Sequence, residues 1–174
     1  NKAAREMRER IDRLVEYGSE AVWVSTFHAL CVRILRRDAE KVGFSKAFTI
    51  GSPSEQKTLM KHIVADTLNL DTKQYDPRSF LASISSWKNE LIEPEEALLQ
   101  ANAEANPMEV AAARAYQIYQ DELKKNQTMD FDDLIMKTIQ LFESSPETLE
   151  FYQRKFRYIH VDEYQDTNEA QYRL

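Results

Sequence analysis

The sequence predicts an α/β chain dominated by helix, in which two strand–helix units flank a long helical stretch. Three observations carry this expectation. Only three glycines occur in 174 residues, and all five prolines stand where a helix can begin. Two short runs, AVWVST at 21–26 and YIHVD at 158–162, have the length and the β-branched and aromatic content of buried strands. Strands that alternate with helices suggest a parallel sheet, here with the helical block inserted into it.

The elements follow in order. The chain opens in a helical pattern, with Ala4, Met7, Ile11 and Leu14 on one face and Glu6–Arg10 and Glu9–Arg13 as favourable i,i+4 pairs. A strand at 21–26 leads to a helix over 27–41 that stops at Gly43. Ser52-Pro53 with Glu55 is a capping box with proline at the first helical position. Asp76-Pro77, Asn106-Pro107 and Ser145-Pro146 repeat the device, and Glu93-Pro94 is a weaker version. Helices are therefore predicted near 53–69, 77–89, 94–103, 107–125, 130–143 and 146–156. The chain lacks an initiator Met and stops at EAQYRL, the first turns of another helix, so it reads as a piece of a longer protein.

Composition bounds the function. A hydrophobic content of 43% with 30% charged residues is that of a globular protein. No apolar run is long enough to cross a membrane. The single cysteine, Cys31, excludes an internal disulfide and a CxxC zinc pair, which makes an intracellular, cytoplasmic protein the default. The net charge of −6 argues against a basic coat for nucleic acid. Residues 1–41 hold 9 Lys+Arg against 7 Asp+Glu, leaving 14 against 22 for the remainder, so any nucleic-acid contact is expected to be local and N-terminal.

In parallel sheets ligands sit at the carboxyl ends of strands. Both predicted strands end in polar clusters, Ser25-Thr26-Phe27-His28 and Asp162-Glu163. Asp162 is suited to hold Mg²⁺ on nucleotide phosphates, with Glu163 activating the attacking water. The alternative is an acidic loop, or a helix cap made by Asp166 or Thr167. Gln165 stands where a GTPase-type DxxG needs glycine, and Tyr164 where a DxD nucleophile motif needs aspartate. Ser25 or Thr26 would cap the following helix, whose first N–H groups bind phosphate. His28 could add a hydrogen bond and Phe27 a stacking surface, against core packing for Phe27 and a structural role for His28. Arg33, Arg36 and Arg37 read as a solvated face. Asp130, with Asp132 and Asp133 in the first turn, reads as a helix start and not a metal site. Trp23 and Trp87 read as packing residues, with Trp87 beside Lys88 on a conceivable duplex-contacting face. His62 and His160 read as structural.

The longer string is more specific than its parts. DEYQDTN resembles motif II of the superfamily 1 DNA helicases of the UvrD/PcrA/Rep type. NKAAREM is similar to the second half of their motif Ia, and STFHALCVRILRR to their motif Ib and the helix after it. SWKNELIEPEEA and MDFDDLI resemble segments between these motifs. The resemblance covers nearly the whole chain and implies a RecA-like motor domain (1A) at 1–45 and 128–174, with a helical subdomain (1B) inserted at 46–127. It implies Mg²⁺ at Asp162, the catalytic base at Glu163, and Gln165 between the γ-phosphate of ATP and the DNA. It places Asn1, Lys2, Thr26, Phe27 and His28 on single-stranded DNA. The activity implied is ATP-driven 3′–5′ movement on DNA with duplex unwinding, in company with DNA repair or replication proteins.

No G-x-x-x-x-G-K-[ST] loop occurs, since Gly18, Gly43 and Gly51 stand in no such frame. The family carries that loop upstream of motif Ia and its later arginines downstream of motif II. The 174-residue chain alone is therefore expected not to hydrolyse ATP. Two other classes remain open at this point: a helicase–nuclease subunit of the AddA/RecB kind, and a non-catalytic helical module that binds DNA or protein.

Overall fold

The computed structural model describes the backbone of residues 20–164 and the side chains of 27–155. Seven helices of a full turn count or more lie among them: α1 Glu20–Asp38, α2 Pro53–His62, α3 Pro77–Asn89, α4 Pro94–Ala103, α5 Pro107–Lys125, α6 Phe131–Ser144 and α7 Pro146–Tyr164. A 3₁₀ turn, Ala39–Val42, extends α1, and a π turn, Ile63–Thr67, extends α2. Two strands of two residues each, β1 Thr49–Ile50 and β2 Thr128–Met129, pair in parallel with Thr49 opposite Thr128 and Ile50 opposite Met129.

The helix starts form as their local chemistry dictates. Ser52 Oγ accepts the Glu55 N–H at 3.2 Å, and Asn106 Oδ1 accepts the N–H groups of Met108 and Glu109. Asp76 Oδ1 accepts the Arg78 N–H at 2.9 Å, and that bond holds the Asp76 carboxyl below its usual pKa. Proline follows each of these caps. Glu93, the weakest of the set, makes no side-chain cap bond.

The helix exits share a second device. The residue after the last turn adopts left-handed backbone, and the next N–H reaches back to close the end. At Gly43 (φ 84) the Phe44 N–H bonds the Ala39 carbonyl at 3.0 Å. At Leu91 (φ 61) the Ile92 N–H bonds the Trp87 carbonyl at 2.8 Å. Ala105 (φ 52), with Asn106 N–H on the Ala101 carbonyl, ends α4 in the same way.

The chain divides into two compact units. Residues 47–136 form the first. Its buried cluster includes Met60, Ile63 and Val64 from α2 and its π turn, Phe80, Ile84 and Trp87 from α3, Ala97 and Ala101 from α4, and Ala112, Tyr116, Tyr119 and Leu123 from α5. Small residues on α4 and α5 let these two helices pack closely as a hairpin. Trp87 and Tyr116 stack with centroids 5.7 Å apart and planes 8° from parallel, and the Tyr116 hydroxyl donates to the Ile92 carbonyl at 2.9 Å. The second unit comprises the residues up to Lys46 and those from Lys137. There Ile34, Leu141, Phe142 and Tyr152 form a cluster flanked by Leu30, Val42 and Leu149.

Two sequence expectations are corrected. Residues 21–26 lie inside α1 and residues 158–162 inside α7; neither is a strand. A strand satisfies its N–H and C=O groups sideways, whereas a helix satisfies them within itself. The strand pairing present among the described residues is that of β1 with β2, so both apolar runs meet their backbone requirement locally. Among the described residues the parallel sheet is that one short pair.

Candidate nucleotide and DNA site

Asp162 and Glu163 fall in the last turns of α7, so the backbone that carries them is helical. Asn1, Lys2 and Gln165 lie outside the described residues. Thr26, Phe27 and His28 are consecutive in the interior of α1, and Phe27 and His28 are half-buried. This corrects the expected cap at Ser25 or Thr26. With α1 beginning at Glu20, the N–H groups at 26–28 lie within its ladder and are not a free helix start. The two expected clusters therefore stand on two helices, α1 and α7, rather than at strand ends. No group of three or more His, Cys, Asp or Glu side chains able to hold a metal occurs among the described residues.

The rest of α1 follows from its periodicity. Cys31, Ile34 and Leu35 are buried, while Arg33, Arg36 and Arg37 are exposed as expected. Arg36 donates to the Lys46 carbonyl at 2.9 Å, and the Arg37 guanidinium lies 3.9 Å from the centre of the Phe151 ring. Burial pushes the Cys31 thiol up to about 12, so it is a packing group and not a nucleophile.

The strongest charge constellation among the described side chains is one that sequence reasoning did not assemble. Lys88, on α3, is fully buried, with its Nζ 2.7 Å from Asp130 Oδ2 and 3.0 Å from Asp133 Oδ1. Tyr119 donates its hydroxyl to Asp130 Oδ2 at 2.9 Å, and Gln120 Nε2 donates to Asp133 Oδ1 at 3.2 Å. Asp130 Oδ1 accepts the Asp133 N–H at 2.8 Å, and Asp133 Oδ2 accepts the Asp130 N–H at 3.2 Å. Asp130 is thus the helix cap its position suggested, and it and Asp133 also neutralise a lysine more than 40 residues earlier in the chain. The missed signal was legible: Phe80, Ile84 and Lys88 are spaced by four, which puts Lys88 on the buried face of α3. The structure therefore removes Trp87–Lys88 as an exposed duplex-contacting face.

Burial alone would lower the Lys88 pKa, but Asp133 and Asp130 outweigh it and hold it above its ordinary value. Burial, then the Asp130 charge, pushes the Tyr119 hydroxyl up as well. A raised lysine stabilises the fold fully below its unfolded pKa of about 10.4, and that stability is lost as pH rises through the folded pKa. A raised tyrosine acts in the same direction, because the unfolded chain ionises first. The 47–136 unit is therefore expected to lose stability above about pH 10, with little change from pH 6 to 9. Denaturant midpoints followed by circular dichroism across this range check it. A midpoint still flat at pH 11 would contradict the assignment.

The whole chain, residues 1–174, matches the UvrD/REP helicase N-terminal domain. The chain belongs to that family. It is 52% identical over 174 residues to the ATP-dependent DNA helicase PcrA of Staphylococcus epidermidis and 56% identical over 175 residues to that of Leuconostoc citreum. The PcrA of Staphylococcus aureus is likewise 52% identical. In each comparison all of this chain is covered, and it spans 23% of the relative's length.

Proposed function

We propose that the protein carrying this chain is an ATP-dependent DNA helicase that moves 3′ to 5′ on single-stranded DNA and separates duplexes. The observation that carries the reading is the string DEYQDTN in a chain whose full length matches the helicase N-terminal domain. In this reading residues 1–45 and 128–174 contribute to a RecA-like motor domain, and 46–127 form the inserted helical subdomain. The self-contained helical core between Met60 and Leu123 supports such an insertion. The protein works in the cytoplasm, where DNA repair or replication proteins are its natural partners.

Asp162 supplies a hard carboxylate oxygen of the kind Mg²⁺ takes, and the metal bound there would neutralise charge on the ATP phosphates. Glu163 accepts the proton of the attacking water. Gln165 reports the nucleotide state toward the DNA. Asn1, Lys2, Thr26, Phe27 and His28 form the DNA side, with Phe27 offering a ring for stacking and His28 a hydrogen bond. The direct test is strand separation by the full-length protein on a duplex with a 3′ single-stranded tail. Unwinding that requires both ATP and the 3′ tail is expected. A protein that hydrolyses no ATP and opens no duplex removes the reading.

A narrower test separates the DNA side from the nucleotide side. His28→Ala in the full-length protein is expected to weaken single-stranded DNA binding by about 1–2 kcal/mol, or roughly tenfold, and to lower DNA-stimulated ATP hydrolysis. Hydrolysis without DNA should be unchanged. Unaltered DNA affinity with a fall in melting temperature would make His28 a packing residue.

A further inference from the structure

The Lys88 cluster has two sides. Lys88, Tyr119 and Gln120 belong to α3 and α5. Asp130 and Asp133 belong to the junction where β2 ends and α6 begins. The fifteen buried residues of the principal core run from Met60 to Leu123, and none of them belongs to the junction. The junction is entered through Gln127, whose φ of 50° is sparsely populated by residues other than glycine. Sideways the Thr49 N–H bonds the Gln127 carbonyl and the Gly51 N–H the Met129 carbonyl, both at 2.9 Å, and the Thr49 and Thr128 hydroxyls pair at 2.8 Å.

We propose that Lys88 latches this junction, residues 127–136, onto the helical body, and that the junction opens as a cooperative unit of its own while the body stays folded. The division of hydrogen bonds carries the argument. Asp130 Oδ1 and Asp133 Oδ2 are satisfied from within the junction by each other's N–H groups, and these bonds survive opening. Asp130 Oδ2 and Asp133 Oδ1 are satisfied from the body, by Lys88, Tyr119 and Gln120. Opening therefore separates two sides that each keep their local structure, and water replaces the bonds across the break. Met129, Leu134 and Met136 are buried and oppose opening. Without Lys88 two buried carboxylates would lose the cation that lies 2.7 Å from Asp130 and 3.0 Å from Asp133, and breaking a buried pair by removing one partner is strongly destabilising. Hydrating them by opening the junction costs less than unfolding the body, whose buried apolar cluster includes no residue of the junction. Elements of unequal stability of this kind open separately in native proteins.

Hydrogen exchange of the full chain, read by mass spectrometry, tests the latch. In Lys88→Met the amides of 128–136 should exchange about 100-fold faster or more, while those of 112–123 change less than about threefold. Uniform acceleration over 47–136, or none at the junction, overturns the proposal. Lys88→Met combined with Asp130→Asn and Asp133→Asn removes the charges and keeps the shapes. Junction protection should then return to within about tenfold of the unaltered chain, and junction amides as fast as in Lys88→Met alone would show that charge is not what holds it. The unaltered chain gives an independent reading should Lys88→Met not fold. Under rising denaturant the junction amides should exchange through an opening that exposes less surface than global unfolding. Junction and body amides merging on one global isotherm would mean that no separate unit exists.

Discussion

Replacing Glu163 by Gln in the full-length protein is expected to lower ATP turnover by about 10²–10⁴-fold while ATP and single-stranded DNA still bind. The amide keeps the size of the carboxylate but cannot take a proton from water. On the proposed roles the metal ligand Asp162 is untouched, so metal–nucleotide binding should be retained and the loss should fall on kcat. Asp162→Asn should behave differently, because it weakens the hard-oxygen ligand and therefore raises the nucleotide concentration needed as well. Steady-state ATPase with and without DNA, together with equilibrium nucleotide binding, distinguishes the two. Near-normal turnover in Glu163→Gln would remove Glu163 as the base, and identical profiles for both variants would remove the division of roles.

The second large effect concerns stability. Tyr116→Ala is expected to destabilise the 47–136 unit by about 3–5 kcal/mol, the range for deleting a large buried ring. Tyr116 is fully buried, stacks on Trp87 and donates to the Ile92 carbonyl. Tyr116→Phe keeps the ring and removes the donor, leaving a buried carbonyl short of a partner. Its cost should be about 1–2 kcal/mol. Domains of this size have about 5–15 kcal/mol in total, so the alanine variant should sit near the edge of folding and the phenylalanine variant should not. Denaturant unfolding measures both. Equal losses for the two would assign the effect to the hydroxyl and not to the ring.

Helix starts were legible because they are local. The proline positions 53, 77, 94, 107 and 146 predicted the starts of α2, α3, α4, α5 and α7, since proline pre-sets the backbone of a first helical residue and, at Ser52, Asp76 and Asn106, a cap and its N–H partners lie within three residues of each other. Gly43 was legible as an exit for the same reason. Leu91, Ala105 and Gln127 were not, because left-handed backbone at a residue with a side chain is imposed by the packing on either side. The strand expectations at 21–26 and 158–162 failed on the opposite ground: apolar content marks a segment for burial, but pairing requires a neighbour that a local pattern does not contain. The π turn after His62 likewise has no sequence signature of its own.

The candidate site was legible only as chemistry along the chain. The acids and the Thr26-Phe27-His28 cluster were found by residue type and by resemblance, and the structure places them on α7 and α1. Asp130 was read correctly as a cap, and its pairing with Lys88 was not, because 42 residues separate the partners. The spacing of Phe80, Ile84 and Lys88 announced a buried lysine; only the fold could show which acids meet it. His62, read as structural, is exposed and pairs with Asp66 at 2.7 Å.

The parallel register of β1 and β2 has a consequence for how such a chain can change over evolutionary time. Thr49 and Thr128 are direct partners, so the polypeptide leaves and returns through strands about 5 Å apart. Everything between them is topologically one long excursion with a closed base. Loops within that excursion can lengthen, shorten or be exchanged without moving its two points of attachment, because loop-closure entropy grows only slowly with length. A swap of residues 52–126 for the equivalent stretch of another family member should therefore give a folded chimera, provided that the incoming stretch keeps Lys88, Tyr119 and Gln120 for Asp130 and Asp133. The natural cut points are the short segments beside Gly51 and Gln127.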